Sequence, residues 1–378
     1  MKCKLQQIVL FVAFLVSLLS CSSNGIEEIN IAYIGPLSEK AIDMGIPAKE
    51  AIELSIHNYN KKRKVDQPKI NFSFGDDKWE GKNAIKIFDS LNKNHKLDVV
   101  FISNTEGTVA LRNRAIENNT LLINPLNSDN LLSTLNENTV KIAKRTEEAN
   151  QILGLRILEL RLKKTAIFYY PNDFMTRAAY SVQEILKHTS SECEIIPTQK
   201  NDTNFVATLT KLKAQGYDGY AFLGYSNFGY AMKQAREIGI TAPFFGSTTL
   251  LDPNYYKNSN GHVVGTECVY FQPMDGNYVL AQEFLKNYHL RYKKQPTSIW
   301  PAMQAYDASE ILIKFISNVN NIKKDITLTD YLRNQFYALN FYQGVCGNIS
   351  IGKDLASKGI YFSLYTIEDK NKLRKLKR

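Results

Sequence analysis

The chain has 378 residues, 44% of them hydrophobic and 22% charged, with Gly and Pro scattered. This excludes a disordered or fibrous protein, and the length exceeds what one hydrophobic core serves, so two globular units are expected. A formal net charge of +10 would suit nucleic acid or a membrane surface, but much of the excess sits in two runs, Lys61-Lys62-Arg63-Lys64 and Lys370 to Arg378; these read as solvated surface, with anionic lipid as the other reading and no nucleic-acid partner.

At the amino terminus Lys2 and Lys4 precede the apolar run Ile8 to Leu19, the pattern of an export signal over residues 1–20 and too short for a comfortable span. The run ends Leu18-Leu19-Ser20-Cys21 and turns polar with Ser22-Ser23-Asn24-Gly25. This resembles a bacterial lipoprotein box, which implies acylation of Cys21, cleavage just before it, and a tether over residues 21–26. A plain secretory signal or an uncleaved anchor is the alternative. Each buried acyl methylene contributes roughly 0.8 kcal/mol of membrane affinity. The remaining Cys193, Cys268 and Cys346 fit no metal spacing and read as small apolar residues, with a Cys268–Cys346 disulfide left open.

From Glu28 onward short β-rich runs alternate with amphipathic helices, the rhythm of βαβ units on a parallel sheet. Ile29, Ile31, Tyr33 and Ile34 form the first strand, Gly35-Pro36-Leu37-Ser38 breaks it, and Ala48, Ala51, Ile52, Ser55, Ile56 and Tyr59 recur at helical spacing. Ile70 to Phe74 is the second strand, followed by a helix through Ala84, Phe88 and Leu91. Leu97 to Ile102 is the third, and Asn104-Thr105-Glu106-Gly107 opens another helix. Leu121 to Ile123 closes this half at Asn124-Pro125, where proline stops the ladder. The rhythm restarts with a helix through Ile152 and Leu158 and the strand Thr165 to Tyr170. Helix Arg177 to Lys187, strand Cys193 to Ile196, helix Asn204 to Gln215 with Gly216 as C-cap, and strand Tyr220 to Leu223 follow. Next come helix Phe228 to Ile238, strand Pro243 to Phe245 and a long β-rich segment, His262 to Phe271. Helices Tyr278 to Tyr292 and Trp300 to Ile316 precede closing strands around Gly347 to Ile351 and Ile360 to Ile367.

No nucleophile elbow, phosphate loop, dinucleotide turn or His-Glu-x-x-His is present. The five histidines lie far apart, and the paired carboxylates Asp76-Asp77 and Glu147-Glu148 read as pointing to opposite faces. No catalytic residue, metal ligand or cofactor is therefore expected, although triads can assemble from distant positions.

With this alternation laid out, the chain resembles the type I periplasmic binding proteins, branched-chain amino-acid branch, over residues 27–367. The stretches that carry the likeness are Ile31-Ala32-Tyr33-Ile34-Gly35-Pro36-Leu37-Ser38, Leu121 to Ser128, Gly216 to Tyr225, Gln234 to Ile240, Phe245-Gly246-Ser247, Ala305-Tyr306-Asp307-Ala308 and Gly344 to Ile349. The resemblance implies two Rossmann-like α/β lobes joined by three chain crossings: an N-terminal lobe of residues 27–143 plus 272–343, and a C-terminal lobe of 144–271 plus 344–378. It implies a small-molecule ligand gripped where loops leave the strands, a membrane permease of the ABC type as partner, and an extracytoplasmic, lipid-anchored location.

By position in that family, Ser103, Asn104, Thr105, Asn127 and Ser128 are the ligand contacts of the first lobe, and Phe174, Tyr225 and Thr248 those of the second. Helix capping is the alternative role of Asn104 and Thr105, and core packing that of Phe174 and Tyr225. Thr248 stands where relatives often carry a carboxylate for a ligand ammonium, and Met44 where an aromatic is expected. A desolvated amino group wants an anionic partner, so an α-amino acid is not assured as ligand. The competing reading from another class is an outer-membrane lipoprotein that uses the same fold to regulate a cell-wall synthase, or a sensor.

Overall fold

The computed structural model describes residues 25–39, 41–127, 132, 138–143, 145–199, 201–271, 278–321, 325–352, 357–370 and 372–376. The export signal, Cys21 and Ser128 lie outside them, and of Thr248 only the backbone is described.

The first sheet is parallel, with β1 (Glu28–Gly35), β2 (Lys69–Asp76), β3 (Val99–Ile102), β4 (Leu121–Asn124) and β5 (Thr139–Lys141) in the order β2-β1-β3-β4-β5. Every residue of β3 and β4 is buried, because helices cover both faces of a parallel sheet and its strands therefore read as unbroken apolar runs. Those helices are α1 (Ile42–Lys62), α2 (Gly81–Asn94) and α3 (Thr105–Glu117). The half does not close at Asn124-Pro125 as the sequence suggested. A further strand, β5, adds to the edge of β4, and its three residues with a buried Lys141 carry no β-pattern to read.

The second sheet repeats the order. The helix α4 (Thr146–Glu159) precedes β6 (Lys164–Tyr169), α5 (Asp173–Leu186), β7 (Glu192–Pro197), α6 (Val206–Ala214), β8 (Gly219–Leu223), α7 (Phe228–Glu237), β9 (Phe244–Gly246), the short helix α8 (Pro253–Asn258) and β10 (Glu267–Phe271). Strands β7-β6-β8-β9-β10 are parallel neighbours, and beyond β10 the sheet gains two antiparallel strands. The segment His262 to Phe271 is strand only from Glu267, since residues 261–266 turn through Gly261 and Gly265, both at positive φ.

Three helices then return to the first sheet: α9 (Val279–Tyr292), α10 (Ile299–Ile316) and α11 (Leu328–Tyr337). The long α10 lies along α1, with Ser55 donating to the Glu310 carboxylate. The unforeseen helix α11 is opened by Thr327, whose hydroxyl accepts from Asp330 N at 3.1 Å, and Thr329 Oγ1 donates to Asn119 O. A small sheet of β11 (Tyr342–Gln343), β12 (Gly347–Ile351) and β13 (Ser357–Ile360) leads to β14 (Phe362–Asp369) and β15 (Lys372–Lys375), which complete the second sheet. Part of the carboxy-terminal basic run is thus an edge strand, with exposed Lys372 and Arg374 flanking Glu368, a charged edge that discourages strand addition.

The chain passes between the sheets three times, after β5, after β10 and through β11–β13. One continuous apolar cluster runs from a face of the first sheet (Ile31, Phe101, Ile123) through Val345, Cys346 and Ile349 to a face of the second (Phe168, Phe222). Each of these side chains contributes about 2 kcal/mol by leaving water. The opposite faces carry separate clusters beneath α2 and α3 and beneath α4 and α5.

Candidate functional site

In both sheets the strand order reverses at a corresponding place, between β1 and β3 and between β6 and β8. Loops leaving the carboxyl ends of such neighbours turn in opposite directions and open a crevice suited to a ligand. Ser103 and Asn104 follow β3, Asn127 follows β4, Tyr170 to Phe174 follow β6, Tyr225 follows β8 and Thr248 follows β9. The expected contacts whose backbone is described therefore all sit on carboxyl edges.

The first edge is a hydrogen-bonded frame. Tyr33 donates its phenol proton to Gly45 O at 3.0 Å, and Ser103 Oγ lies 2.7 Å from the phenol oxygen. Because the phenol has one proton, Ser103 is the donor of that pair. Asn104 caps α3 by accepting from Gly107 N, and its amide donates to Asp77 Oδ2. Ser103 and Asn104 are 0% and 2% exposed, so both are turned inward and committed to protein partners. Thr105 and Asn127 are partly exposed and bonded to each other, Asn127 Nδ2 donating to Thr105 Oγ1. Asn127 N donates to Asn124 Oδ1 at 2.8 Å, and the buried Gln304 of α10 donates to Pro125 O at 3.0 Å, which fixes this loop from behind.

The carboxylates after β2 have separate tasks. Asp76 accepts from Leu37 N (2.8 Å) and Lys78 N (3.0 Å) and from the Ser38 hydroxyl, tying the loop after β1 to that after β2. Asp77 accepts from Trp79 N at 2.8 Å as well as from Asn104, and burial pushes its pKa up to about 6. Lys78 and Trp79 both adopt positive φ, and the two carboxylates hold this strained pair in place. Trp79, partly buried beside the edge, was not singled out from sequence; its only signal there was the doubled Asp before it. Met44 lies in the first turn of α1, partly buried against the core, and Gly45 behind it admits no side chain, since a Cβ would meet Pro36 O at 1.8 Å.

The second edge is open and aromatic. The Tyr225 ring is 42% exposed and meets the Tyr170 ring edge-on, with centroids 5.4 Å apart. Asn172 caps α5 by accepting from Met175 N at 2.8 Å and donates to Tyr225 Oη at 3.0 Å. Tyr225 accepts that bond and retains its own proton for an outside acceptor. Phe174 is partly exposed in the first turn of α5. Asn172 and Tyr170 were not singled out from sequence, although an Asn two residues before an apolar helical run is a cap signature.

Between the edges the crossings are tied to one another. The buried Asp307 of α10 accepts from Val345 N (2.7 Å) and Cys346 N (2.8 Å), and its removal from water pushes its pKa up to about 7. Tyr278 donates to Gly344 O at 2.6 Å, Ser357 Oγ donates to Ala143 O at 2.8 Å, and Arg145 Nε donates to Ser357 O at 2.9 Å. A Cβ at Gly344 would stand 2.5 Å from the Asp307 carboxylate, which explains glycine there.

Cys193, Cys268 and Cys346 are free thiols, Cys268 and Cys346 fully enclosed, and burial raises the pKa of all three. Among the described residues no group of three His, Cys, Asp or Glu is placed to hold a metal, and no helix is long and apolar enough to cross a membrane.

A profile of the periplasmic binding protein family matches residues 28–362. Among solved structures, a leucine binding protein, LivK, from Thermotoga maritima is 15% identical with a TM-score of 0.74, covering 92% of this chain and 98% of that one. LivJ, the branched-chain amino acid transporter substrate binding protein of Streptococcus pneumoniae in complex with isoleucine, is 20% identical with a TM-score of 0.71, covering 93% and 100%. An ABC transporter solute binding protein of R. palustris in complex with benzoate is 16% identical with a TM-score of 0.71, covering 92% and 95%. A search of curated proteins finds no match. At these identities the structures establish a shared fold.

Proposed function

The chain belongs to the periplasmic binding protein family with the type I fold, and from that premise we propose that it is the lipid-anchored, substrate-binding component of an ABC-type importer. The family carries a location outside the cytoplasm. The finer points, acylation of Cys21, delivery to a permease, and a division into lobes of residues 27–143 plus 272–343 and 144–271 plus 344–378, belong to the proposal.

The observation that supports it is the repeated strand order, which gives two carboxyl edges with complementary character. The first supplies Thr105 and Asn127 on a rigid polar frame, and the second supplies the Tyr225 ring and hydroxyl, with Asn172 bonded to it and Phe174 in the first turn of the helix that Asn172 caps. Closure over a small ligand would sandwich it between an amide and hydroxyl edge and an aromatic one, excluding water. The ligand is an amino acid or a related small polar molecule with a flat or apolar part to lie on Tyr225 and an acceptor for its proton. Thr248 offers a hydroxyl where an ammonium would call for a carboxylate, so amides and aromatic acids compete with α-amino acids as candidates.

A thermal-shift screen of amino acids, amides, aromatic acids and short peptides tests this, because a ligand that binds only the folded state raises Tm. Stabilisation by one compound class, lost in Tyr225→Ala, is the expected result. A silent panel together with capture of a cell-wall synthase by the purified protein would replace the transport reading.

A further inference from the structure

We propose that the basic turn at the far end of α1, Lys61-Lys62-Arg63-Lys64-Val65, is a docking surface for anionic phospholipid headgroups, holding the body upright on the membrane that carries its anchor. The inference rests on the proposed acylation of Cys21 for its geometry, and on the following observations for its chemistry.

The first observation is where the tether leaves the body. Ile26 N donates to Asn320 Oδ1 at 2.7 Å, and the Asn320 amide donates back to Ile26 O at 3.3 Å and to Asp66 O at 2.7 Å. A single side chain thus joins the start of the folded body to the turn after α1. From Gly25 to Cys21 is four residues, which reach at most about 14 Å when fully extended. An acylated Cys21 therefore keeps this pole beside the bilayer, where fields persist over a Debye length of about 8 Å.

The second observation is the state of the charges. Elsewhere on the surface many cations are matched, as in Lys49–Glu53, Lys164–Glu192, Arg156–Glu267 and Lys294–Glu50. Among the described residues Lys61, Lys62, Arg63 and Lys64 form no ion pair. Lys61, Lys62 and Lys64 are exposed, while Arg63 is braced by donating from Nη1 to Gln67 O at 2.9 Å. Val65 at the tip is 101% exposed, an apolar side chain standing clear of the protein next to Asp66, which Asn320 joins to Ile26. The opposing charges in this neighbourhood are Asp66 in the turn, the exposed Glu27, Glu28 paired with Lys69 across β1 and β2, and Glu310 on α10, which Ser55 bonds and on which Lys62 acts through its field. They leave the tip basic.

An acyl anchor holds the chain at the bilayer but leaves the body free to turn about its tether, and a basic patch facing anionic headgroups would fix its orientation. Each cation near an anionic surface is worth roughly fivefold in partition, so three of them act on the order of a hundredfold. The 21 residues of α1 span about 30 Å from this turn to the loops after β1. Docking would hold the candidate site that far above the headgroups.

The test uses the full-length acylated protein with vesicles of phosphatidylcholine alone or mixed with phosphatidylglycerol. Flotation with neutral vesicles reads the anchor, and hydrogen exchange of the amides in residues 61–67 reads the patch. The expected result is flotation with both, with exchange slowed only on the phosphatidylglycerol vesicles, reversed by high salt, and absent in Lys61→Gln/Lys62→Gln/Lys64→Gln. Among the described residues these three side chains form no hydrogen bond or salt bridge, Lys62 acting on Glu310 only through its field, and an unchanged Tm checks that the triple variant stays folded. Equal exchange on the two vesicle types, or equal slowing by a short DNA duplex at matched phosphate, would overturn the lipid assignment. Flotation only with phosphatidylglycerol, lost in the triple variant, would remove the anchor while upholding the patch.

Discussion

The turns after β3 and after β8 hold equivalent places in sheets of one strand order, and they spend their side chains differently. After β3, Ser103 and Asn104 are 0% and 2% exposed, locked respectively to Tyr33 on β1 and to Asp77 in the loop after β2; after β8, Tyr225 shows 42% of its surface and keeps a proton unspent. The corresponding position at a switch point can thus be closed into a frame or left open to solvent. What decides is whether partners exist within the lobe. Tyr33 on β1 and Asp77 in the loop after β2 reach Ser103 and Asn104, whereas among the described residues the Tyr225 side chain has Tyr170 and the cap Asn172 beside it.

Changes that attack the frame sharpen this contrast most. Asn104→Ala removes the cap of α3 and strands a buried oxygen of Asp77, and is expected to cost about 2–4 kcal/mol in urea unfolding. A cost under about 0.5 kcal/mol would show that the frame is not one.

The next effect is on pH. Burial raises the Asp77 pKa from 3.8 to about 6, so the folded protein holds a proton that the unfolded chain releases near 4. Stability from this group is full below about pH 4 and is lost as pH rises to about 6, a change of at most about 3 kcal/mol. Asp307 has the same sign up to about 7. Urea midpoints across this range should decline, and Asp77→Asn should flatten the lower part of the decline.

Tyr33→Phe takes away a hydroxyl that serves Gly45 and Ser103 together and is expected to cost about 1–2 kcal/mol, read by Tm. Smallest in stability is Tyr225→Ala. It should stay within about 0.5 kcal/mol of the parent, yet weaken the stabilising ligand about tenfold or more by calorimetry. A variant that loses stability and binding in proportion would erase the distinction between the two turns.

Much of the architecture is legible in the amino-acid order. Strands such as Val99–Ile102 and Gly219–Leu223 are buried on both faces and stand out as short apolar runs, and Gly216, at φ +78, ends its helix as a glycine there should. Apart from α11, whose Thr327 cap and Leu332–Phe336 spacing were there to be read, the elements that escaped have weak local signals. β5 is three residues with a lysine, α8 is six residues, and β15 hides in a basic run. The loops proposed to bear the site follow from topology, but the direction of their side chains does not. Whether Ser103 faces a ligand or a tyrosine hydroxyl depends on Tyr33, 70 residues away, and the cap Asn104 turns inward because Asp77, 27 residues away, accepts its amide.

The central claim is that one small molecule is held jointly by the carboxyl edges of the two sheets. A crystal structure with the compound that raises Tm should place it against the Tyr225 ring with Thr105 or Asn127 within hydrogen-bonding distance on the other side. Density for that compound on one lobe alone, remote from Tyr225 and from the loops after β3 and β4, would contradict the account.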